Sequence, residues 1–224
     1  MIEHLIGGGL IMDLGILSRE QNEVLERLKK SVLSNNLFYL AGGTGLAIIL
    51  AHRKSYDFDF FSKDQFSTEK LLEIIVKSFE EDEVILSEIK EDTLIVFLNN
   101  IQVSFFQYNY PLLKELMKKD GLYIASLEDI LAMKVIAIIQ RGTKKDFIDL
   151  WTIMGEKKYS LQDIFIFCKT KYGKAFSESI ALKALTYFKD AEEETPEEEE
   201  SNFSWESIKK YLIENCRKYF EQKS

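Results

Sequence analysis

The sequence predicts an α+β protein: a small mixed sheet with helices over residues 1–124, then an all-helical domain over residues 125–224. Two observations carry this reading. Up to Pro111, helical periodicity alternates with short apolar or period-two runs, and three such runs follow one another directly before that proline. From Ser126 onward only helical periodicity recurs. A chain of 224 residues is long enough for one good core and a smaller second one.

Taken in order, Leu17–Ser34 has apolar residues at Leu17, Val24, Leu25, Leu28, Val32 and Leu33, a helical spacing. Leu37–Ala41 is a short apolar strand cut off by Gly42-Gly43. Thr44 can cap the next helix, and Leu46–Leu50 is apolar enough to be buried. Arg53-Lys54-Ser55 leads into a strand, Asp57–Phe61. There Asp57 and Asp59 share one face, and Phe58 and Phe60 turn to the core. Ser67–Glu80 reads as an amphipathic helix capped by Ser67 or Thr68. Glu83–Ile89, Thr93–Leu98 and Ile101–Tyr108 read as strands, the last two joined by an Asn99-Asn100 hairpin turn. Pro111 is expected to end the sheet, and Leu112–Lys119 to form a short helix or an elaborated loop. Ser126-Leu127-Glu128-Asp129 is a capping signature for a helix to about Arg141. Gly142 breaks it, Thr143 can cap Lys144–Met154, and helices are expected at about Leu161–Lys171, Ala175–Phe188 and Trp205–Phe220.

Composition sets limits. A 46% apolar fraction and a mean hydropathy of −0.13 describe an ordinary soluble protein, and no apolar run reaches membrane-spanning length. The N-terminal MIEHLIGGGLIMDL lacks a basic region and carries Glu3 and Asp13, so it is read as a non-signal. Cys168 and Cys216 lie far apart with no metal-type spacing, which suits free thiols in the cytoplasm. The net charge of −8 opposes a nucleic-acid partner at first sight. However, Asp190–Glu200 holds eight acidic residues and no basic one, so the rest of the chain is neutral and a local basic face is possible. The acidic run itself, with Pro196, reads as a solvated loop.

Several residues can carry chemistry. Two carboxylates side by side, Asp57 and Asp59, repel each other and need a cation. Mg²⁺, held by one or two carboxylates plus the oxygens of a bound phosphate, fits that need; the plain alternative is a solvated strand end. The Gly42-Gly43-Thr44 turn offers close backbone approach and N–H donors at a helix start, which suits a triphosphate, although tight turns of this kind are common. Arg53 and Ser55 can reach phosphate oxygens or face solvent. His52 is read as a residue at a helix end. Further on, Lys134 and Arg141 stand seven apart on one face of an otherwise apolar helix, where a lysine ordinarily snorkels outward.

A glycine turn, about a dozen residues, and then Asp-x-Asp on a strand resembles the nucleotidyltransferase fold of the polymerase-β superfamily. With His52-Arg53-x-Ser55-x-Asp57-Phe58-Asp59, the stretch is more narrowly similar to the AbiEii/AbiGii toxin family. The second block, Lys134, Ala137, Arg141, Lys145-Asp146-Phe147 and Asp149-Leu150, resembles that family's Lys-x2-Ala-x3-Arg-x3-Lys/Arg-Asp-Phe-x-Asp-Leu pattern. The resemblance spans residues 35–155 and implies a nucleotidyltransferase core. It also implies that Asp57 and Asp59 ligate Mg²⁺. Gly42, Gly43, Thr44, Arg53, Ser55, Lys134, Arg141 and Lys145 would bind the nucleotide, and Asp146 would be catalytic. Asp149 is assigned to interdomain ion pairing.

The expected function is transfer of a nucleotidyl group from an NTP to a hydroxyl, with RNA such as tRNA as acceptor by analogy and a cognate antitoxin as protein partner. One departure stands out. Enzymes of this superfamily usually take a third carboxylate from a later strand, and here that position on Ile101–Phe106 is Ser104. A catalytically weakened nucleotide-binding or protein-interaction module is therefore the alternative, and a small-molecule modifier of the aminoglycoside nucleotidyltransferase kind a third.

Overall fold

The computed structural model of the chain describes residues 16–35, 37–79, 84–194 and 203–223. Among these, strands β1 (Tyr39–Leu40), β2 (Phe58–Ser62), β3 (Val84–Lys90), β4 (Thr93–Leu98), β5 (Ile101–Gln107), β6 (Met117–Lys119) and β7 (Leu122–Ile124) form one sheet in the order β3-β4-β5-β2-β1-β7-β6. The sheet is mixed: β2 runs parallel to β5 and β1 parallel to β7, while β1 and β2 are antiparallel. The hairpin between β4 and β5 turns on Asn99 and Asn100, with φ of 49° and 64°; a tight primed turn needs two such residues, and asparagine tolerates them.

Helices α1 (Arg19–Lys30) and α3 (Thr68–Ser78) cover one face of the sheet. Val24, Leu25 and Leu28 from α1 and Leu71 and Ile75 from α3 join Phe58, Phe60, Leu94, Val96, Val103 and Phe105 in one core. Helix α1 starts at a reciprocal capping box between Ser18 and Gln21, which satisfies two orphan ends at once. Helices α4 (Leu127–Gln140), α5 (Lys144–Lys157), α6 (Leu161–Tyr172), α7 (Glu178–Leu185), α8 (Lys189–Glu193) and α9 (Trp205–Glu221) build a second core. Tyr39, Ala41 and Leu46 join that core, so the β1 strand and helix α2 (Gly42–Leu50) are packed from both sides.

Four local expectations change. Pro111 does not end the sheet, because β6 and β7 follow it and β7 pairs with the central β1; Leu112–Lys119 is a loop, as one of the two expectations has it, that runs into strand β6. Thr44 is not a helix cap: α2 begins at Gly42 after Ala41, and Thr44 is already in its first turn. Ala175–Phe188 shortens to α7, because residues 173–175 form a tighter 3₁₀ turn. The acidic run is not all loop, since its start lies in α8. Residues 1–14, Glu80, Glu83 and positions 195–200 of the acidic run lie outside the described residues. Cys168 and Cys216 are buried and unpaired, and no helix among the described residues is long and apolar enough to cross a membrane.

Candidate active site

Strand β2 sets the geometry of the site. The strand begins at Phe58, one residue later than its sequence suggests; Phe58 and Phe60 are fully buried, Asp59 alternates to the opposite face, and Asp57, just before the strand, lines the same cleft as Asp59. That face borders a cleft of about 730 Å³ between the sheet and α4, reaching the start of α5. Gly42 comes within touching distance of Asp59. It has φ of +64°, and a Cβ there would meet Asp59 Oδ2 at 2.5 Å. Only glycine allows that conformation and that approach together. Helix α2 points its start at the carboxylates. Its first ladder bond runs from the Gly45 N–H to the Ala41 carbonyl at 3.0 Å, so the N–H groups of Gly42, Gly43 and Thr44 have no place in that ladder.

Arg53 and Ser55 stand over the second glycine, where a Cβ on Gly43 would meet Arg53 Nη2 at 2.8 Å and Ser55 Oγ at 3.0 Å. Thr44 is turned inward and 1% exposed; its hydroxyl donates to the Asp57 carbonyl and is hydrogen-bonded to the Ser55 hydroxyl at 2.8 Å. It ties the helix start to the segment that delivers Asp57 and is not placed to touch a ligand. Gln21 on α1 holds the same segment, donating to the Ser55 carbonyl at 2.8 Å.

Behind the carboxylate pair lies a buried charge network. Lys134 is not snorkelled. It is 6% exposed, and its Nζ lies 2.9 Å from Asp146 Oδ1 and 2.7 Å from Asp149 Oδ2. Asp149 also takes Arg53 through Nε at 2.7 Å and Nη2 at 2.8 Å, and His52 Nε2 at 2.7 Å. Asp146 also accepts from Arg141 Nε at 3.0 Å and from the Thr143 hydroxyl at 2.8 Å. Thr143 thus occupies the cap position of α5 but spends its hydroxyl on a carboxylate, not on a backbone N–H. Burial alone would raise the carboxyls of Asp146 and Asp149, but Lys134 and the guanidinium and imidazole donors hold both below the ordinary range. Asp59 behaves oppositely: burial raises it, Asp57 and Asp146 add to this, and Lys134 and Arg141 only partly offset it. Lys145 lines the cleft with Arg53, Arg141 and Lys134.

The donor set at the head of the cleft is two carboxylates, a hard-oxygen pair with too little positive charge beside Asp59. This fits a divalent cation such as Mg²⁺. No three His, Cys, Asp or Glu side chains converge into a metal cage among the described residues. A cation held by Asp57 and Asp59 would take its other ligands from water and phosphate, as Mg²⁺ commonly does. Ser104 pairs directly with Asp59 across β2 and β5 and is 1% exposed, so its hydroxyl is buried in register with that carboxylate.

Sequence reasoning did not find the far side of the cleft. Phe61, Phe106, Tyr108, Tyr110 and Tyr172 line it, as do Asp92 and Gln107. The Tyr108-Asn109-Tyr110-Pro111 run after β5 was the available signal, but nothing in its spacing says which way the rings face.

The family model described as "Nucleotidyl transferase AbiEii toxin, Type IV TA system" matches residues 23–210. An uncharacterized protein of Aquifex aeolicus (strain VF5) is 40% identical over 212 residues, covering 92% of this chain and 98% of its own. Among solved structures, a putative nucleotidyltransferase from H. pylori aligns with a TM-score of 0.58 at 17% identity, over 90% of this chain and 95% of its own. MenT4, a nucleotidyltransferase toxin from Mycobacterium tuberculosis H37Rv, aligns with a TM-score of 0.56 at 13% identity, over 89% and 86%. At such identities the two structures establish a shared fold.

Proposed function

Because the chain belongs to the AbiEii nucleotidyl transferase toxin family, we propose that it transfers a nucleotidyl group from an NTP, bound with Mg²⁺, to a hydroxyl of an RNA such as tRNA. The observation that carries this reading is the contact between Gly42 and Asp59. It puts the open start of α2 and the carboxylate pair against the same point of the cleft, so one polyphosphate can meet both.

In this reaction the acceptor oxygen bonds to the α-phosphorus while the bond to the bridging oxygen breaks, and pyrophosphate leaves. Phosphoryl transfer of this kind asks chiefly for positioning and charge neutralisation. The N–H groups of Gly42 and Gly43 bind phosphate oxygens. Ser55 stands over the same turn and orients them, Arg53, committed to Asp149, acts beside the turn as a fixed positive charge, and Arg141 and Lys145 add positive charge along the cleft. Lys134 is committed to Asp146 and Asp149, so it acts on the site as a fixed buried charge. Asp57 and Asp59 would hold Mg²⁺, which supplies charge neutralisation on the phosphates and a more acidic attacking hydroxyl. Asp146 serves the chemistry by fixing Lys134 and Arg141. The setting is the cytoplasm, where nucleotide and RNA meet, and a cognate antitoxin is the protein partner that the family implies.

A second reading has one specific observation behind it. Ser104 stands beside Asp59 where a carboxylate would assist proton removal, and such help is typically worth about 10²–10⁴-fold in rate. A slow or inactive nucleotide-binding module would have this arrangement. Incubation with each labelled NTP, Mg²⁺ and total RNA decides between them. Labelled RNA that disappears with Asp57→Asn supports the enzyme; nucleotide binding without transfer to any acceptor supports the module.

A further inference from the structure

The cleft has two chemically distinct ends. At one, Arg53, Lys134 and Arg141 gather around Asp146 and Asp149 beside the carboxylate pair. At the other, along β2 and β5, the lining is aromatic. Ring centroids lie 5.4 Å apart for Phe61–Phe106 and for Phe61–Tyr108, and 4.9 Å for Tyr108–Tyr110 and for Tyr110–Tyr172. Tyr110 is 36% exposed, so part of its surface is open to a ligand. Asp92 lines the same cleft with an exposed carboxylate, which accepts the Thr93 hydroxyl at 3.0 Å and keeps further acceptor capacity. Its backbone carbonyl accepts the Gln107 N–H at 2.8 Å, which holds it against β5.

This aromatic end is fixed from behind. Lys171 Nζ lies 2.6 Å from Asp129 Oδ1, with both side chains fully buried. The same lysine donates to the Pro111 carbonyl at 2.9 Å, and Asp129 accepts the Leu113 N–H at 3.0 Å. The Tyr108 and Tyr172 hydroxyls bond each other at 2.8 Å. A fully buried ion pair seldom returns its desolvation cost as stability. Here it pins the loop that carries Tyr110 between α4 and α6, the kind of support that a preorganised binding surface needs.

The chemistry selects the ligand. Asp92 repels phosphate, while the exposed Tyr110, backed by half-buried and buried rings, offers its surface to a flat uncharged group. An ionised carboxylate only accepts hydrogen bonds, so it favours a partner with N–H donors. We propose that this end is a nucleobase subsite: a base stacks on Tyr110, and an exocyclic amino group turns to Asp92. The inference rests on the nucleotidyltransferase reading of the cleft. The base belongs either to the NTP or to the terminal nucleotide of the acceptor strand.

The test is calorimetric binding to the full chain with Mg²⁺, using inorganic tripolyphosphate, CTP, UTP and a short oligocytidine RNA. CTP carries an exocyclic amino group where UTP has a carbonyl, and UTP carries N3–H where cytosine has an acceptor, so the exocyclic donor is the feature that only CTP offers. The proposal expects CTP to bind tighter than UTP and Asp92→Ala to level the two. It expects Tyr110→Ala to weaken CTP or the oligonucleotide by about five- to a hundredfold, the range of one stacked base, with tripolyphosphate unchanged and Tyr110→Phe close to native. Loss on CTP assigns the base to the NTP, and loss on the oligonucleotide alone assigns it to the acceptor. CTP, UTP and tripolyphosphate binding equally, with Tyr110→Ala silent on every probe, would overturn the subsite and leave the function standing. If neither CTP nor tripolyphosphate binds but the RNA does so through Tyr110, the NTP reading falls and the subsite survives. No binding of any probe overturns both.

Discussion

Lys134 bridges Asp146 and Asp149: its Nζ is 2.9 Å from one carboxylate and 2.7 Å from the other, with both aspartates fully buried. A lysine so placed stabilises the interface between α4 and α5 before it does anything for a ligand. Removing it leaves two buried carboxylates undercompensated. Lys134→Ala is expected to cost about 3–5 kcal/mol in urea denaturation. A loss below about 1 kcal/mol would mean that the lysine is solvated and free to reach substrate.

The same network sets an acid limit. The Asp149 and Asp146 carboxyls are held below the ordinary aspartate range by Lys134 and its neighbouring donors, so the unfolded chain takes up protons first as pH falls. Their contribution to stability is complete above the ordinary aspartate range, begins to fall as pH enters that range and is lost only as pH drops through the lower folded-state values. Urea midpoints between pH 7 and pH 3 should therefore fall, and less steeply in Asp149→Asn, which starts from a lower midpoint at pH 7. Equal slopes would contradict the assignment.

Asp59 has the opposite sign. Its carboxyl is raised by burial, so the folded state holds that proton more tightly than the unfolded chain, and stability is lost as pH rises above 3.8. In metal-free buffer at pH 7, Asp59→Asn should melt higher than the native protein. Mg²⁺ should then raise the melting temperature of the native protein and not that of Asp57→Asn or Asp59→Asn. A Mg²⁺ effect retained in both variants would remove the cation from this pair.

Gly42 is under two constraints at once, φ of +64° and a Cβ position 2.5 Å from Asp59 Oδ2. The left-handed backbone alone costs a side chain about 1–2 kcal/mol, and the clash displaces either the turn or Asp59. Gly42→Ala should lose that much stability and nearly all transfer activity, while Gly121→Ala, with φ of +75° and no atom within 4 Å, should lose stability alone.

Ser104 lies opposite Asp59 in register. Ser104→Asp adds a third carboxylate to the face and should lower the metal-free melting temperature through like-charge repulsion, with recovery in Mg²⁺. Where transfer is limited by proton removal, the rate should rise. A faster native enzyme and a dead Ser104→Asp would place the assisting group elsewhere, with Asp146→Ala then as inactive as Asp57→Ala.

The fold class was legible in the chain because strand and helix periods differ and because Gly42-Gly43, Asn99-Asn100 and Ser126 punctuate them locally. The turn of Asp59 away from Phe58 and Phe60 follows from a period of two and needs no tertiary information. Residues beyond Pro111 were misjudged because β7 is only three residues long and owes its strand state to pairing with β1, a partner some eighty positions away. Thr44 was misjudged because a hydroxyl near a helix start is usually a cap, and here Ser55 and Asp57 claim it from eleven and thirteen positions on.

By itself the sequence determined the order of elements, the glycine turn, the carboxylate pair and the cationic block, all matters of local spacing. Only the tertiary structure decided what each charge faces. Lys134 reads as a surface lysine on an apolar helix until α5 brings Asp146 and Asp149 against it. Tyr110 reads as a loop residue until a buried lysine and aspartate fix its loop at the rim of the cleft. Burial and long-range pairing set the energy of a charge, and neither is a property of neighbouring residues along the chain.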